Sequence, residues 1–211
     1  MTHVPAQAHA HFSEAAAERR DFTAIAQWIT PGAKVLDLGC GDGALLGYLR
    51  DTLNVRGYGV EKDDANVLAC VKNGINVIQM NLEEGLSGFE ADSFDVVILS
   101  QTLQAVYQTE RIVLEMLRVG KEAIVTFPNF GYWKHRLQLF SGGRMPVSRT
   151  LPHQWYNTPN VHLCTIADFD AFCRERNIPV SERLVITEGK TIHLFPNLLG
   201  NLAMYRFGQV G

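Results

Sequence analysis

The sequence predicts an α/β fold in which helices cover both faces of a mostly parallel, seven-stranded sheet with an antiparallel strand at one edge. Short apolar, β-branched runs alternate with helical patterns along most of the chain, which is typical of a parallel sheet. The stretch VLDLGCGDG, residues 35–43, has the pattern of a buried strand that leads through a glycine-rich turn into a helix. No long helix separates the last two strands, which favours antiparallel pairing there.

Apolar periodicity places each element along the chain. The predicted strands span residues 34–37, 56–61, 75–80, 94–100, 122–127, 180–187 and 202–207. The predicted helices span residues 21–29, 43–51, 64–72, 109–119 and 166–176. Thr165 and Asp168 resemble a capping box at the start of the last of these helices.

Length and composition indicate one domain. The chain has 211 residues, 46% hydrophobic and 19% charged, which suffices to build one large core. We expect residues 1–20 to form a flexible leader and residues 21–211 to form a single domain, with an insertion at about 128–164 that acts as a lid. No segment approaches the ~20 apolar residues that span a bilayer, and no targeting signal begins the chain, so we expect a cytoplasmic protein.

The net charge and the spacing of the cysteines and histidines argue against several classes of partner and against metal and disulfide sites. A net charge of −3 indicates neither nucleic acid nor an anionic membrane as the main partner. The four cysteines (Cys40, Cys70, Cys164 and Cys173) have the spacing of neither a zinc site nor a disulfide framework, so we expect reduced thiols. His9 and His11 lack companion ligands nearby, and no metal site is predicted.

The glycine turn predicts a site for the adenosyl part of a cofactor. GCGDGA also satisfies the dinucleotide pattern through Gly39, Gly41 and Ala44, so the glycines alone do not separate NAD from S-adenosylmethionine. Asp37 and Asp42 would repel a pyrophosphate but attract the ammonium and sulfonium groups of S-adenosylmethionine. We therefore expect S-adenosyl-L-methionine or S-adenosyl-L-homocysteine, although a helix-capping or solvated role explains Asp42 equally well.

Two further strand ends carry polar residues suited to adenosine. Glu61 ends the second strand, where a carboxylate can accept both ribose hydroxyls in either cofactor class. Asn81 and Leu82 follow the third strand, where an amide oxygen and a backbone N–H can pair with the adenine edge. Because both positions terminate strands at one edge of the sheet, we expect them to lie beside the glycine turn.

Several long segments resemble one protein family. The strand order and the turn are similar to the Rossmann-like class I S-adenosylmethionine-dependent methyltransferase fold over residues 21–207. The finer resemblance is to the methionine biosynthesis protein MetW family, and it rests on SFDVVILSQTLQAV (93–106), EMLRVGKEAIVTFPNFGYWKHR (115–136), GGRMPVS (142–148), WYNTPNVHLCT (155–165) and PNLLG (196–200).

This resemblance implies a role in methionine biosynthesis and a hetero-oligomer with homoserine O-acyltransferase, MetX, which acetylates or succinylates homoserine. It implies no methyl acceptor. Carried over by position, the cofactor contacts fall on Asp37, Gly39, Cys40, Gly41, Glu61, Lys62, Asn81, Leu82 and Ser100. Asn81 stands where the family pattern has Asp, and the loss of that charge would weaken adenine binding by about 1 kcal/mol.

Candidate catalytic groups are few. Gln101, Thr102 and Gln104 follow the fourth strand, and none of them can act as a base near neutral pH. Tyr156 and His162, where the insertion returns to the sheet, are the remaining acid–base candidates, although a hydrogen-bonding role explains them better.

The insertion is basic and aromatic. Residues 123–167 contain no Asp or Glu, but they include Lys134, Arg136, Arg144, Arg149 and three histidines. Such a surface can close over the cofactor, bind an anionic substrate or dock a partner, or its aromatic residues can simply pack the lid.

Two function hypotheses follow from these observations. The chain is either an accessory protein that binds and tunes homoserine O-acyltransferase while sensing S-adenosylmethionine, or an active methyltransferase for a small metabolite. The acidic residues around the glycine turn disfavour an NAD-dependent oxidoreductase.

Overall fold

The computed structural model describes residues 20–208. The predicted leader, with His9 and His11, lies outside these residues except for Arg20, which begins the first helix. The strands are β1 Lys34–Leu38, β2 Arg56–Glu61, β3 Asn76–Gln79, β4 Phe94–Ser100, β5 Gly120–Pro128, β6 Val180–Thr187, β7 Lys190–Thr191 and β8 Leu202–Gly208. The helices are α1 Arg20–Ala26, α2 Ala44–Leu53, α3 Asp64–Lys72, α4 Thr109–Val119, α5 Trp133–Gly142, α6 Ile166–Glu175 and α7 Pro196–Leu199.

The strands form a single sheet in the order β3-β2-β1-β4-β5-β8-β6-β7. Strands β1 to β5 are parallel to one another, and β8 runs antiparallel between β5 and β6. The predicted α/β fold with its mostly parallel sheet is confirmed. The described residues contain one strand more than the predicted seven, because Glu188 and Gly189, both with positive φ, turn the chain back so that β7 pairs with β6 at the edge.

The lid region contains a helix that the sequence pattern did not predict. Helix α5 occupies Trp133–Gly142, within the insertion expected at 128–164. His135 is its one buried residue, and the other nine are exposed. The short apolar pattern of α5 lies within a stretch rich in Pro, Gly and aromatic residues, which obscures a helix of only ten residues.

The core lies on both faces of the sheet because the central strands are buried on both sides. Val35 and Leu36 of β1 are fully buried, and their side chains pack in opposite layers. One layer packs with α4 and α6, and the other with α1 and α2. The alternation along β1 therefore positions the turn that follows it between two rigid layers.

Asn129, directly after β5, joins three segments through its fully buried amide. The amide nitrogen donates to the carbonyl oxygens of Asn197 and Gly200 at 3.1 and 2.7 Å. The amide oxygen accepts the backbone N–H groups of Gly131 and Ile166 at 3.0 and 3.2 Å. One side chain thus satisfies polar groups at the end of β5, the start of α6 and the loop that leads to β8.

We expect Asn129→Ala to lower the free energy of unfolding by roughly 3–5 kcal/mol, because the N–H groups of Gly131 and Ile166 and the carbonyl oxygen of Gly200 lose this buried partner. Urea unfolding measures the change. Asn76→Ala is the control, since the exposed Asn76 amide makes one long hydrogen bond of 3.4 Å. A loss below about 1 kcal/mol for Asn129→Ala would show that solvent can replace these bonds.

Candidate functional site

The glycine turn between β1 and α2 is held in a conformation that needs glycine. Gly39, Gly41 and Gly43 have φ values of +70°, +56° and +81°. The backbone N–H groups of Gly39 and Cys40 both donate to the carbonyl oxygen of Val60, at 2.8 and 3.1 Å. The turn is therefore anchored to the neighbouring strand β2 in a left-handed geometry that other residues adopt at a cost.

The surroundings of the glycines differ. A Cβ atom at Gly39 would come within 2.6 Å of the Thr102 methyl group, and one at Gly43 within 2.9 Å of Ile75. A Cβ atom at Gly41 would meet no heavy atom within 4 Å. Gly39 and Gly43 are thus required by packing, whereas Gly41 borders open space, the arrangement of a backbone that a ligand approaches closely.

The Glu61 carboxylate, at the end of β2, binds backbone N–H groups. One oxygen accepts the N–H of Gly41 at 3.0 Å, and the other accepts those of Lys62 and Asp63 at 2.8 and 2.9 Å. The side chain is 9% exposed. A carboxylate offers about four acceptor positions, so the oxygen that faces Gly41 retains capacity for a further donor.

Beside the turn lies a cleft of about 320 Å³, formed at the carboxyl ends of β1 and β4. This is the place where open α/β sheets bind small ligands, and the volume lies within the roughly 300–1,000 Å³ of small-molecule pockets. The described lining residues are Phe22, Asp37, Gly39, Cys40, Gly41, Asp42, Ala44, Leu45, Ser100, Gln101 and Thr102.

Carboxylates supply the formal charge of the cleft. Asp37 is 2% exposed at the end of β1, and Asp42 lies exposed on the turn. The lining residues in the described part of the chain include no Lys, Arg or His. The electrostatic field therefore favours a cation and disfavours a phosphate group.

Asp42 also contributes to the start of α2. Its carboxylate accepts the backbone N–H of Ala44 at 3.1 Å, while the N-cap residue Gly43 offers no side chain. The structure therefore supports a helix-start role for Asp42, and its position in the cleft wall leaves a ligand-binding role open as well.

Cys40 and Cys70 lie together beneath the turn, although 29 residues separate them in sequence. Their sulfur atoms are 3.8 Å apart, and the Cys70 thiol donates to the carbonyl oxygen of Gly41 at 3.1 Å. Burial, reinforced by Asp37, raises the pKa of the Cys40 thiol. Burial also raises the pKa of Cys70. Both groups are neutral near pH 7, so they pack under the turn and do not act as nucleophiles there.

Of the remaining expected cofactor contacts, only Ser100 is among the described residues that line the cleft. Ser100 lines the cleft, and its hydroxyl lies 3.2 Å from that of Thr126. Asn81 is exposed, and its amide oxygen accepts the N–H of Glu83 at 3.2 Å, so an adenine ring would have to share this acceptor. Leu82 is half-buried and Lys62 is exposed; neither belongs to the cleft wall. Their roles in binding stay predictions.

Tyr156 and His162, the acid–base candidates, lie away from the cleft wall. Tyr156 is 70% exposed and packs against Trp155. His162 lines a second cavity, of about 860 Å³, between α4 and α6. Its Nε2 atom lies 3.2 Å from the carbonyl oxygen of Tyr107. Neither side chain is among the described residues that line the cleft, and their acid–base role stays a prediction.

Sequence reasoning pointed to the segment after β4 but missed the contribution of α1 to the cleft. Phe22 lines it, and the Gln101 amide donates to the Asp21 carboxylate at 2.8 Å. Gln101 has a φ of +51°, which is unusual for a residue other than glycine. The contact between Gln101 and Asp21, which are distant in sequence, shows that α1 forms a wall of the cleft. No recognisable motif in α1 predicts this.

Comparison with known proteins gives the family. The model of the family described as "Methionine biosynthesis protein MetW" matches residues 19–207. The chain belongs to the MetW family. A protein of Rhodopirellula baltica named "Bifunctional methionine biosynthesis protein MetXA/MetW" is 39% identical over 200 residues, which cover 89% of this chain. These residues are 32% of that relative, so this MetW chain spans about a third of its length.

Solved structures confirm the methyltransferase fold of this MetW chain. A SAM-dependent methyltransferase from Archaeoglobus fulgidus matches with a TM-score of 0.67 and 12% identity, covering 93% of each chain. One from Mesorhizobium loti matches with a TM-score of 0.66 and 15% identity, covering 91% of this chain and 99% of that one. At these identities the similarity shows the fold alone.

Among the described residues, no helix is long and apolar enough to span a membrane. The same part of the chain contains no group of three His, Cys, Asp or Glu side chains placed to hold a metal ion.

We expect Gly39→Ala to lower the free energy of unfolding by about 2–4 kcal/mol, through left-handed strain and the clash with Thr102. Gly41→Ala introduces the left-handed backbone strain without a clash, and should lower the free energy of unfolding by only about 1 kcal/mol. Chemical denaturation of both variants measures the difference. Adding Thr102→Ala should recover part of the Gly39→Ala loss, and strict additivity of the two changes would contradict the clash.

Proposed function

We propose that this MetW chain binds S-adenosylmethionine in the cleft beside the glycine turn and acts as an accessory protein of a MetX-type homoserine O-acyltransferase. The observation that carries the proposal is the 39% identity to the relative named MetXA/MetW. The name of that relative joins MetXA and MetW in one chain, and a protein that matches the MetW part is a natural binding partner of the MetX part.

The described residues fit S-adenosylmethionine. Open space at Gly41 allows close approach to the backbone, and the Asp37 and Asp42 carboxylates complement an ammonium and a sulfonium. Glu61 would hold the ribose hydroxyls through its remaining acceptor capacity, and Asn81 would contact the adenine. The methyltransferase folds of the structural neighbours support the same ligand.

Sensing fits the cleft better than methyl transfer. The bound cofactor supplies an activated methyl group, so transfer mainly needs an aligned acceptor and, for many acceptors, a base. Gln101 and Thr102 line the cleft and cannot act as bases, while His162 lines the second cavity. Binding without methyl transfer lets the accessory protein respond to the concentration of S-adenosylmethionine, the downstream product of the pathway. This requires that S-adenosylmethionine binds the free protein and its complex with the acyltransferase with different affinities.

We expect Glu61→Ala to lower the affinity for S-adenosylmethionine at least 30-fold, because about 2 kcal/mol of hydrogen bonding to the ligand and the turn is lost. Gly41→Ala should lower it similarly while the protein stays folded. Isothermal titration calorimetry measures both, with the exposed Glu90→Ala as the matched control. Unchanged affinity in both variants would place the ligand elsewhere.

We expect addition of this MetW protein to increase the rate of acyl transfer to homoserine by the acyltransferase of the same organism, and S-adenosylmethionine to change that increase. A coupled assay with purified proteins measures both effects, and Gly41→Ala should keep the first effect but lose the second. If the rate and the sedimentation of the acyltransferase are the same with and without MetW, the accessory role is wrong.

A further inference from the structure

Helix α5 turns its apolar side outward. Trp133, Leu137 and Phe140 follow the spacing i, i+4, i+7, so they form one stripe along the helix. His135 lies about 200° around the helix from Trp133, on the opposite side, and it is buried. The polar residue therefore faces the protein, and three large apolar residues face away from it, the reverse of an ordinary surface helix.

The exposure of this stripe is large. Phe140 is 91% exposed, and Trp133 and Leu137 are exposed as well. A helix of ten residues is marginal by itself, and α5 is attached through few polar contacts. The Nε2 atom of His135 lies 2.9 Å from the Ser148 hydroxyl, and Gln138 exchanges two hydrogen bonds with Val147. Burial lowers the pKa of His135, so this anchor is neutral near pH 7.

Exposed aromatic residues also line a groove beside α5. The C-terminal part of α5 borders a groove of about 950 Å³ whose other wall includes Met145, Trp155 and Tyr156. Trp155 and Tyr156 are mostly exposed, and their rings contact each other edge to face at 5.8 Å. Exposed Trp and Tyr beside an apolar groove are the residues that anchor protein interfaces.

Phe195 is presented on a strained backbone near the start of α5. Its φ and ψ are 46° and 53°, a conformation that costs energy for a residue other than glycine, and its side chain is 65% exposed. The Arg136 guanidinium contacts the carbonyl oxygen of Asn197, which places this segment beside α5. Strain that holds an aromatic ring in solvent is typical of a binding site.

The charge around the apolar surface is positive. Residues 123–167 contain no Asp or Glu, and Lys134, Arg144 and Arg149 are exposed there. Lys134 has one exposed partner, Glu188, at 3.7 Å, which is a weak pair. A partner that buries the stripe would therefore carry apolar residues surrounded by carboxylates.

We infer that the stripe of Trp133, Leu137 and Phe140, together with Trp155 and Phe195, is the surface through which this MetW chain docks on the acyltransferase. The inference rests on the proposed accessory role. The partner surface would be an apolar groove with an acidic rim, which receives the α5 stripe in the manner of an amphipathic helix.

The end of the insertion also contacts the segment that lines the cleft. The carbonyl oxygen of Gln104 accepts the N–H groups of Val161 and His162, at the end of the lid, at 2.8 and 3.0 Å. The Gln104 amide donates in turn to the carbonyl oxygen of Gln101, which lines the cleft, at 2.7 Å. Two hydrogen-bonded steps therefore join the end of the insertion to the segment after β4 that lines the cleft.

The test compares Leu137→Ser/Phe140→Ser with Leu68→Ser/Val71→Ser. The control pair lies on α3, where Leu68 and Val71 are 54% and 61% exposed. Because both variants replace two exposed apolar residues of a helix by Ser, their effects on helix stability are matched. Affinity for the purified acyltransferase is measured by analytical ultracentrifugation, and folding by the thermal midpoint. We expect at least tenfold weaker binding for the α5 pair, no change for the control, and weaker wild-type binding at high salt.

Each other outcome has a distinct meaning. Equal binding by the wild type and the α5 variant would overturn the docking surface and leave the accessory role intact. Absence of binding by the wild type would overturn the accessory role and the docking surface with it. If the wild type instead self-associates and the α5 variant is monomeric, the stripe covers a second copy of this chain, and the inference is wrong.

Discussion

The parallel pairing of β1 with β2 and β4 is the constraint on which the rest of the molecule depends. Because parallel strands end at the same edge, the residues that follow them meet without any sequence proximity. Asp37, Glu61 and Ser100 come from three strands and lie around one turn. Burial of β1 and β4 on both faces removes any freedom to shift this register, since a shift by one residue would exchange the two core layers.

At this edge of the sheet, buried polar side chains form hydrogen bonds with backbone groups. Glu61 stabilises the glycine turn and the start of the loop after β2, and Asn129 plays the same part after β5. Both positions need such a side chain, because a turn that leaves the sheet cannot complete its own backbone hydrogen bonds. A ligand at Glu61 would therefore meet a carboxylate that is already oriented, which reduces the ordering that binding requires.

The insertion at 128–164 contacts the rest of the molecule unevenly. Its end, at Val161 and His162, is hydrogen-bonded to the segment after β4, whereas α5 exposes its apolar stripe to solvent. Gln101 and Thr102 of that segment also line the cleft. The insertion therefore contacts the cleft wall at one end and presents apolar residues to solvent elsewhere.

Local sequence determined seven of the eight strands of the described residues, the glycine turn and the acidic residues at strand ends, because short apolar, β-branched runs and an obligatory positive φ are encoded by neighbouring residues. Asp37 and Glu61 could be placed at one edge from strand order alone. Tertiary structure decided what no local pattern carries: the approach of Cys40 to Cys70, the wall that α1 forms through Phe22, and the outward stripe of α5. Each of these depends on packing between segments distant in sequence, and a helix whose apolar residues face solvent has the same periodicity as one that faces a core.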